Sequence, residues 1–402
     1  MNRSRLDRIL TGRFFGLLVF VAVVWLMFYC TFTLGSYPQH WIESVMGRIS
    51  LWLQGRMQEG WLLDFLQNGL INGVGSVLSF LPNIMILFFF ISLLEESNYL
   101  PRAATVMDKY MHRIGLHGGS FIPLLMGFGC NVPAIMATRS IERRGDRLLT
   151  MMMIPYIPCS ARIPAFVLIV GTFFADSQVL AMMCLYLGAI IVGIVIAIMN
   201  RHIFFKHKSD DYEIELPDMK APKASSIFRG MWDATSEYLQ KIGTVVLVAV
   251  VIVWALNYFP MERHNPQAEE IPSSYLEDFG RAVEPVMAPL GLDWKMSSAL
   301  ITGIAAKEFI VGTLGVLYQD IATTGDRGTL SERMREDGSI NKANALSFLI
   351  FALIYVPCIA TAAAIRKESG SWKWSMVTIC TTLLVAWMLS FAAFHIGSLI
   401  WL

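Results

Sequence analysis

YIPCSA, at residues 156–161, returns as YVPCIA at residues 355–360. In both halves of the chain the order is a full apolar span, an interrupted segment, and a helix that opens with this element. Proline removes a helical hydrogen bond, so each copy marks a break in an apolar segment. The sequence therefore predicts two repeats, each containing interrupted helices.

The composition is that of a membrane protein. Of the 402 residues, 55% are apolar and only 16% are charged, and the mean hydropathy is +0.53. About 20 apolar residues cross the hydrocarbon core as a helix. The uncharged runs of this length are Phe14–Leu34, Phe65–Leu94, Ser177–Asn200, Ile242–Met261, Ala343–Ile365 and Trp374–Leu402. The predicted fold class is an all-α polytopic membrane protein.

Charge and cysteine usage exclude several other classes. The formal net charge is +1 and no basic tract follows a pattern suited to phosphates, so nucleic acid is not an expected partner. The six cysteines lie mostly inside apolar runs, which does not predict a disulfide framework. No H-E-x-x-H motif or nucleophile–base arrangement is present, so the chain is predicted to be a transporter and not an enzyme, with no catalytic residue.

Three more apolar segments carry flaws. Ile114–Thr138 is rich in glycine and proline, Leu148–Ala175 contains Arg162, and Met296–Gln319 contains two adjacent charges. Lys and Arg concentrate in cytoplasmic loops. The basic loop from Arg139 to Arg147 lies in the cytoplasm only if Ile114–Thr138 enters the membrane from the cytoplasm and returns to the same side. We therefore expect a re-entrant hairpin there, and a second, entering from the opposite side, at Met296–Gln319.

These assignments divide the chain into four parts. Residues 1–64 hold a cytoplasmic amino terminus and the first transmembrane helix, and residues 65–200 form the first repeat. Residues 201–241 form a cytoplasmic linker, and residues 242–402 form the second repeat. Inverted repeats with paired discontinuous helices predict a transporter with its site near the bilayer midplane.

The breaks carry the candidate ligands. Proline frees the carbonyl four residues earlier, which here predicts free carbonyls at Gly129, Met151, Ile154 and Leu353. Three cysteines stand beside the breaks, and thiolate, carbonyl and amide ligands together favour a transition metal over Mg²⁺ or Ca²⁺. The predicted translocation path is Gly129, Cys130, Asn131, Cys159, Ser160 and Cys358. The other cysteines, in unbroken runs, are interpreted as small apolar residues.

Ionisable residues inside apolar segments are the other candidates, because burying them is costly. Glu95 and Glu96 end the second span. They are interpreted either as a solvated pair at the membrane surface or as ligands for a cation that enters the path. Arg162 needs a buried partner, for which we expect the carbonyls of the hairpin. Lys307 and Glu308 are predicted either to pair with each other or to gate the path.

Several strings resemble a known family. They are GFGCNVPA at residues 127–134, PCSAR at 158–162, LEESNY at 94–99, AKE at 306–308 with VGTL at 311–314, and DRILT at 7–11. Together they resemble the permease region of ferrous iron transport protein B. The resemblance implies import of Fe²⁺ as substrate across the bacterial inner membrane, with no bound organic cofactor. It also implies Cys130, Cys159 and Cys358 as path ligands, and the two gate repeats shared with nucleoside transporters.

The chain departs from that family in one respect. Its members normally carry an amino-terminal GTPase domain, and no G-x-x-x-x-G-K-[ST] loop occurs in these residues, so no nucleotide-binding residue is predicted. The expected partners are a GTPase, as a domain or a separate subunit, a small cytoplasmic accessory protein, and further copies of the chain. The alternative function is a gate-family carrier of nucleosides or another small solute, which would need polar side chains at both hairpin tips.

Overall fold

The chain folds into α-helices. This computed structural model describes residues 15–57, 60–72, 75, 78, 81–113, 115–116, 118–204, 222–259, 274–318, 330–336, 338 and 340–400, and within them no β-strand occurs. The helices are α1 Phe15–Gln54, α2 Trp61–Asp64, α3 Leu81–Glu96, α4 Tyr99–Arg113, α5 Phe121–Gly127, α6 Asn131–Ala137, α7 Arg144–Met153, α8 Ile163–Phe173, α9 Gln178–Phe204, α10 Ala224–Tyr258, α11 Tyr275–Met287, α12 Trp294–Ala305, α13 Phe309–Leu317, α14 Leu330–Glu336, α15 Lys342–Ile354, α16 Ile359–Ser369 and α17 Trp372–Ile400.

Helical segments long and apolar enough to cross a membrane confirm the predicted fold class. The described residues contain five of them, Val21–Gln54, Arg144–Phe173, Ala175–Phe204, Lys342–Ser369 and Trp372–Ile400. A sixth is formed if α3 and the first part of α4, which meet at a bend of 86°, count as one span. The chain is therefore a multi-pass membrane protein.

The bend between α3 and α4 has a local cause. Asn98 has a φ of 55°, a left-handed conformation that asparagine tolerates better than most residues. Arg102, which is 1% exposed, donates from Nη1 to the Asn98 carbonyl at 2.7 Å. The predicted span Phe65–Leu94 is not one α-helix, because Phe65–Asn72 is a π-helix.

Both Tyr-x-Pro-Cys elements lie inside a span. The first separates α7 from α8, and the second separates α15 from α16. Cys159 and Cys358 adopt extended ψ angles of 158° and 154° and stand directly before the helical turns that begin at Ser160 and Ile359. The expectation that a helix opens with each element is confirmed, because α16 begins directly after Cys358 and a 3₁₀ turn that leads into α8 begins directly after Cys159. A further half-helix precedes each element.

Each interrupted segment packs against the broken span of the other repeat. Within each, the two short helices pack on each other, α5 on α6 and α12 on α13. The second helix of each segment then packs on the half-helix that follows the other repeat's break: α6 on α16, and α13 on α8. This reciprocal packing brings both interrupted segments and both broken spans together, whereas their re-entry into a bilayer remains a prediction.

Some predicted features lie outside the described residues. They are the basic amino terminus (residues 1–14), most of the linker (205–221), residues 260–273, which include the end of the Ile242–Met261 span, and residues 401–402. The four-part division of the chain remains a prediction.

Candidate translocation site

The first interrupted segment is bonded to the first broken span. Ser160 donates to the Gly129 carbonyl twice, from its backbone N at 3.3 Å and from Oγ at 2.7 Å. Gly129 lies in the break between α5 and α6, and Pro133 stands in the first turn of α6, so proline takes no helical donor from the Gly129 carbonyl. The prediction that this carbonyl is free was wrong, because Ser160 supplies two donors to it. The neighbouring residues Cys130 and Cys159 are thereby drawn together.

The three thiols beside the breaks are neighbours. Cys159 is 8% exposed, and Cys130 and Cys358 are half-buried. Cys130 and Cys159 flank the bonded pair Gly129 and Ser160, and Cys130 and Cys358 pack against the same buried core. The Cys358 Sγ lies 3.1 Å from Thr361 Oγ1. In the described part of the chain, however, no three His, Cys, Asp or Glu side chains are arranged to hold a metal ion together.

Asn131 adds an oxygen to this cluster. The residue is 5% exposed and begins α6, directly after Cys130. Its Oδ1 is buried and has no hydrogen-bond partner in the structure as described. An unpaired buried carbonyl oxygen is costly, and an amide oxygen is a ligand for divalent cations, so this atom is a candidate ligand beside a thiol.

Arg162 spans the two repeats. It is 1% exposed and donates from Nη1 to the Leu353 carbonyl, the one that Pro357 releases from its helix, and from Nη2 to the Pro155 carbonyl at 3.5 Å. The prediction that Arg162 bonds to the carbonyls of the hairpin was therefore wrong, because its guanidinium lies between the two broken spans. The Ile154 carbonyl, also predicted to be free, accepts from the Ile157 N at 3.0 Å.

Lys307 is held at the second break. The residue is 3% exposed, its Nζ donates to the Val356 carbonyl at 2.8 Å, and the same atom lies 3.3 Å from the ring centroid of Tyr355. Of the two predicted roles, pairing with Glu308 does not occur in the described structure, and gating is untested. Sequence reasoning missed Tyr355 as a contact, although the tyrosine common to both repeat elements was the available signal.

A cavity of about 690 Å³ reaches toward the cluster from the basic loop. Glu95, Asp146 and Met126 are among its lining residues, and the Met126 carbonyl accepts from the Cys130 N at 3.1 Å. Glu96 is half-buried and outside this lining. At the same end of the molecule Arg139 makes a bidentate ion pair with Glu368, at 2.6 and 2.7 Å, which joins the ends of α6 and α16.

Family comparisons agree with the architecture. The family described as "Gate: Nucleoside recognition" matches residues 77–173 and 239–372, which include both interrupted segments and both Tyr-x-Pro-Cys elements. Between these two stretches, residues 182–233 match "Ferrous iron transport protein B C terminus". No solved structure matches the chain.

Curated relatives extend over nearly the whole chain. An Fe(2+) transport protein A/Fe(2+) transporter FeoB fusion protein of Porphyromonas gingivalis is 42% identical over 98% of this chain and 52% of its own length. The Fe(2+) transporter FeoB of Campylobacter jejuni is 36% identical over 99% of this chain and 66% of its own length. The Fe(2+) transporter FeoB of Methanocaldococcus jannaschii is 34% identical over 98% of this chain and 59% of its own length.

The chain thus spans about half to two-thirds of the length of these relatives. The part that it shares with them contains the gate matches and the apolar helices described above. The resemblance read from the sequence is confirmed: the chain belongs to the ferrous iron transport protein B family and corresponds to its membrane region.

Proposed function

We propose that this chain is the permease of a ferrous iron importer in the bacterial inner membrane, with its amino terminus in the cytoplasm. The observation that carries the proposal is the hydrogen-bonded contact that joins the breaks at Cys130 and Cys159, where two interrupted segments and two broken spans meet and Cys358 stands at the second span's break. Fe²⁺ is a borderline ion that accepts thiolate, and the harder ions Mg²⁺ and Ca²⁺ avoid sulfur. The relatives' printed names, Fe(2+) transporter, support the same substrate.

The path would use the atoms that the breaks bring together. The three thiols and the Asn131 Oδ1 are the ligands, whereas Gly129 and Ser160 support them by holding the two breaks in contact. Glu308 is an electrostatic neighbour of Cys130 and Cys159 and would add a carboxylate. Glu95 lines the cavity below the cluster and would attract the cation there, with Glu96 beside it in sequence.

The expected partners follow from the relatives. One carries an Fe(2+) transport protein A segment in the same polypeptide, which supports a small accessory protein as partner. The relatives are longer than the matched region, and a GTPase, fused or separate, would act through the end of the molecule that carries the basic loop Arg139–Arg147. An assembly of several copies is the remaining expectation.

Anaerobic uptake of ⁵⁵Fe²⁺ into liposomes tests the proposal, with the GTPase partner added or omitted. In Cys130→Ser and Cys159→Ser, uptake should fall about tenfold or more, because a serine oxygen is a poorer ligand than sulfur for a borderline metal ion. Cys184→Ser is the matched control, since this exposed cysteine lies within the unbroken helix α9. Undiminished uptake in both Cys130→Ser and Cys159→Ser would show that these thiols are not ligands in the path.

The same liposomes decide between the proposal and its alternative. A nucleoside carrier needs polar groups that hydrogen-bond a sugar, yet the break residues of the first segment, residues 128–130, are phenylalanine, glycine and cysteine. We expect no uptake of labelled uridine or adenosine and no competition of either with Fe²⁺. Nucleoside uptake without Fe²⁺ uptake would replace the proposal by the alternative.

A further inference from the structure

Two basic side chains lie buried where the breaks meet, and both are bonded to main-chain carbonyls. Arg162 and Lys307 are 1% and 3% exposed. Within the residues that the structure describes, neither forms an ion pair, and both bond to main-chain carbonyls instead. Burying such groups in a membrane is costly, so their retention indicates a function.

Their acceptors belong mainly to one break. Arg162 bonds to the Leu353 carbonyl and Lys307 to the Val356 carbonyl, so both meet the carboxyl end of the half-helix α15. Helix carboxyl ends carry partial negative charge, and in transporters with discontinuous helices such ends coordinate the transported cation. In this structure two basic groups of the protein itself occupy these carbonyls.

The thiols share this environment. Cys159 stands three residues before Arg162, and Cys358 stands two residues after Val356, whose carbonyl accepts from Lys307. The guanidinium keeps its positive charge under all ordinary conditions, and like charges repel strongly where the effective dielectric constant is low. The positive charge of Arg162 therefore opposes a divalent cation at the thiol cluster, while Lys307 occupies the Val356 carbonyl beside it.

We propose that Lys307 and Arg162 act as internal substitutes for the ion, closing the path by occupying its carbonyl ligands, and that Lys307 withdraws from Val356 when Fe²⁺ passes. The inference rests on the permease function proposed above. Lys307 is the movable member, because it lies in the break between α12 and α13, where residues 306–308 belong to neither helix. Displacement of either short helix would pull Nζ away from Val356.

Lys307→Met tests the inference in a chain whose Cys30, Cys184 and Cys380 are replaced by serine, which leaves only the break thiols. The rate at which a cationic methanethiosulfonate labels these thiols should rise about tenfold, because the occupying group and its charge are gone. Uptake of ⁵⁵Fe²⁺ without the GTPase partner should rise by a similar factor. Lys307→Arg, which keeps a charged donor, should stay near the unsubstituted lysine in both assays.

Lys295→Met is the matched control. Lys295 is on the same segment, in α12, and its Nζ lies 4.6 Å from the ring centroid of Tyr318, so it offers the same chemistry away from the break. This variant should label and transport as the parent does. If Lys307→Met does not fold, Lys307→Gln takes its place, since its amide can still donate to Val356 but carries no charge.

The outcomes separate the two proposals. Unchanged labelling in Lys307→Met, or in Lys307→Gln where it replaces that variant, overturns the gating inference and leaves the permease proposal intact. Faster labelling without partner-independent uptake, in a chain that transports Fe²⁺, does the same. A parent chain that never transports Fe²⁺ overturns the permease proposal. Faster labelling in Lys307→Met would then still show that Lys307 closes the thiol cluster.

Discussion

The two repeats close their breaks with the same contact, but the donor and acceptor are exchanged. In the first repeat the interrupted segment supplies a carbonyl, that of Gly129, and the broken span supplies the donor, Ser160. In the second repeat the interrupted segment supplies the donor, Lys307, and the broken span supplies the carbonyl of Val356. Gly129 and Lys307 are each the middle residue of a three-residue break, at 128–130 and 306–308.

The difference arises from side chains. The second copy of the element has Ile359 where the first has Ser160, so it offers no hydroxyl donor, and Lys307 fills that role from the other side. The contact between an interrupted segment and its broken span is therefore made by a neutral donor in the first repeat and by a basic donor in the second. The first break is an uncharged ligand site, and the second contains the groups that we propose to control it.

The largest effect on the free energy of unfolding is expected at Arg162, which joins the two repeats. Arg162→Met should lower the free energy of unfolding by about 3 kcal/mol, because the Leu353 and Pro155 carbonyls lose their donor and stay buried. Thermal denaturation in detergent measures this loss. Arg281→Met removes an arginine that is exposed and paired with Glu277, and should cost about 1 kcal/mol or less. Equal losses in the two variants would show that Arg162 does not join the repeats.

A smaller effect should distinguish how closely each interrupted segment approaches its broken span. A Cβ on Gly303 would collide with the Tyr355 hydroxyl and lie 2.6 Å from Ile310 Cγ1, whereas a Cβ on Gly127 would meet Ile157 at 3.4 Å. Gly303→Ala should therefore cost about 2 kcal/mol through overpacking. Gly127→Ala should cost less than about 1 kcal/mol by the same reasoning. Denaturation of both variants side by side tests the order, and a reversed order would contradict the packing difference.

The smallest effect is expected at Ser160. Ser160→Ala removes the 2.7 Å bond from Oγ to the Gly129 carbonyl but keeps the backbone bond from Ser160 N. Because the carbonyl retains one donor, the loss should be about 1 kcal/mol. Thr378→Ala, at a buried hydroxyl bonded within its own helix to Trp374, is the control for the loss of a hydroxyl alone. A loss well above that of Thr378→Ala would mean that Ser160 does more than supply one bond.

Sequence reasoning predicted the membrane class, the breaks and the cysteines beside them. It succeeded because proline acts on its own helix, and because apolar runs are recognised by length and composition alone. It failed on the carbonyls of Gly129 and Leu353, which it predicted to be free but which Ser160 and Arg162 occupy. It also failed on the partner of Lys307, because no local rule connects Lys307 with Val356 and Tyr355.

What the sequence by itself determined was where the helices are apolar, where they stop, and which residues stand at the stops. These properties depend on the covalent geometry of proline and on the transfer of side chains into lipid, and both are local. Only the tertiary structure decided which donor meets which carbonyl, as between Arg162 and Leu353, 191 residues apart in the chain. Such pairs exist because α6 packs on α16 and α13 on α8, and that packing depends on the shapes of all four helices together.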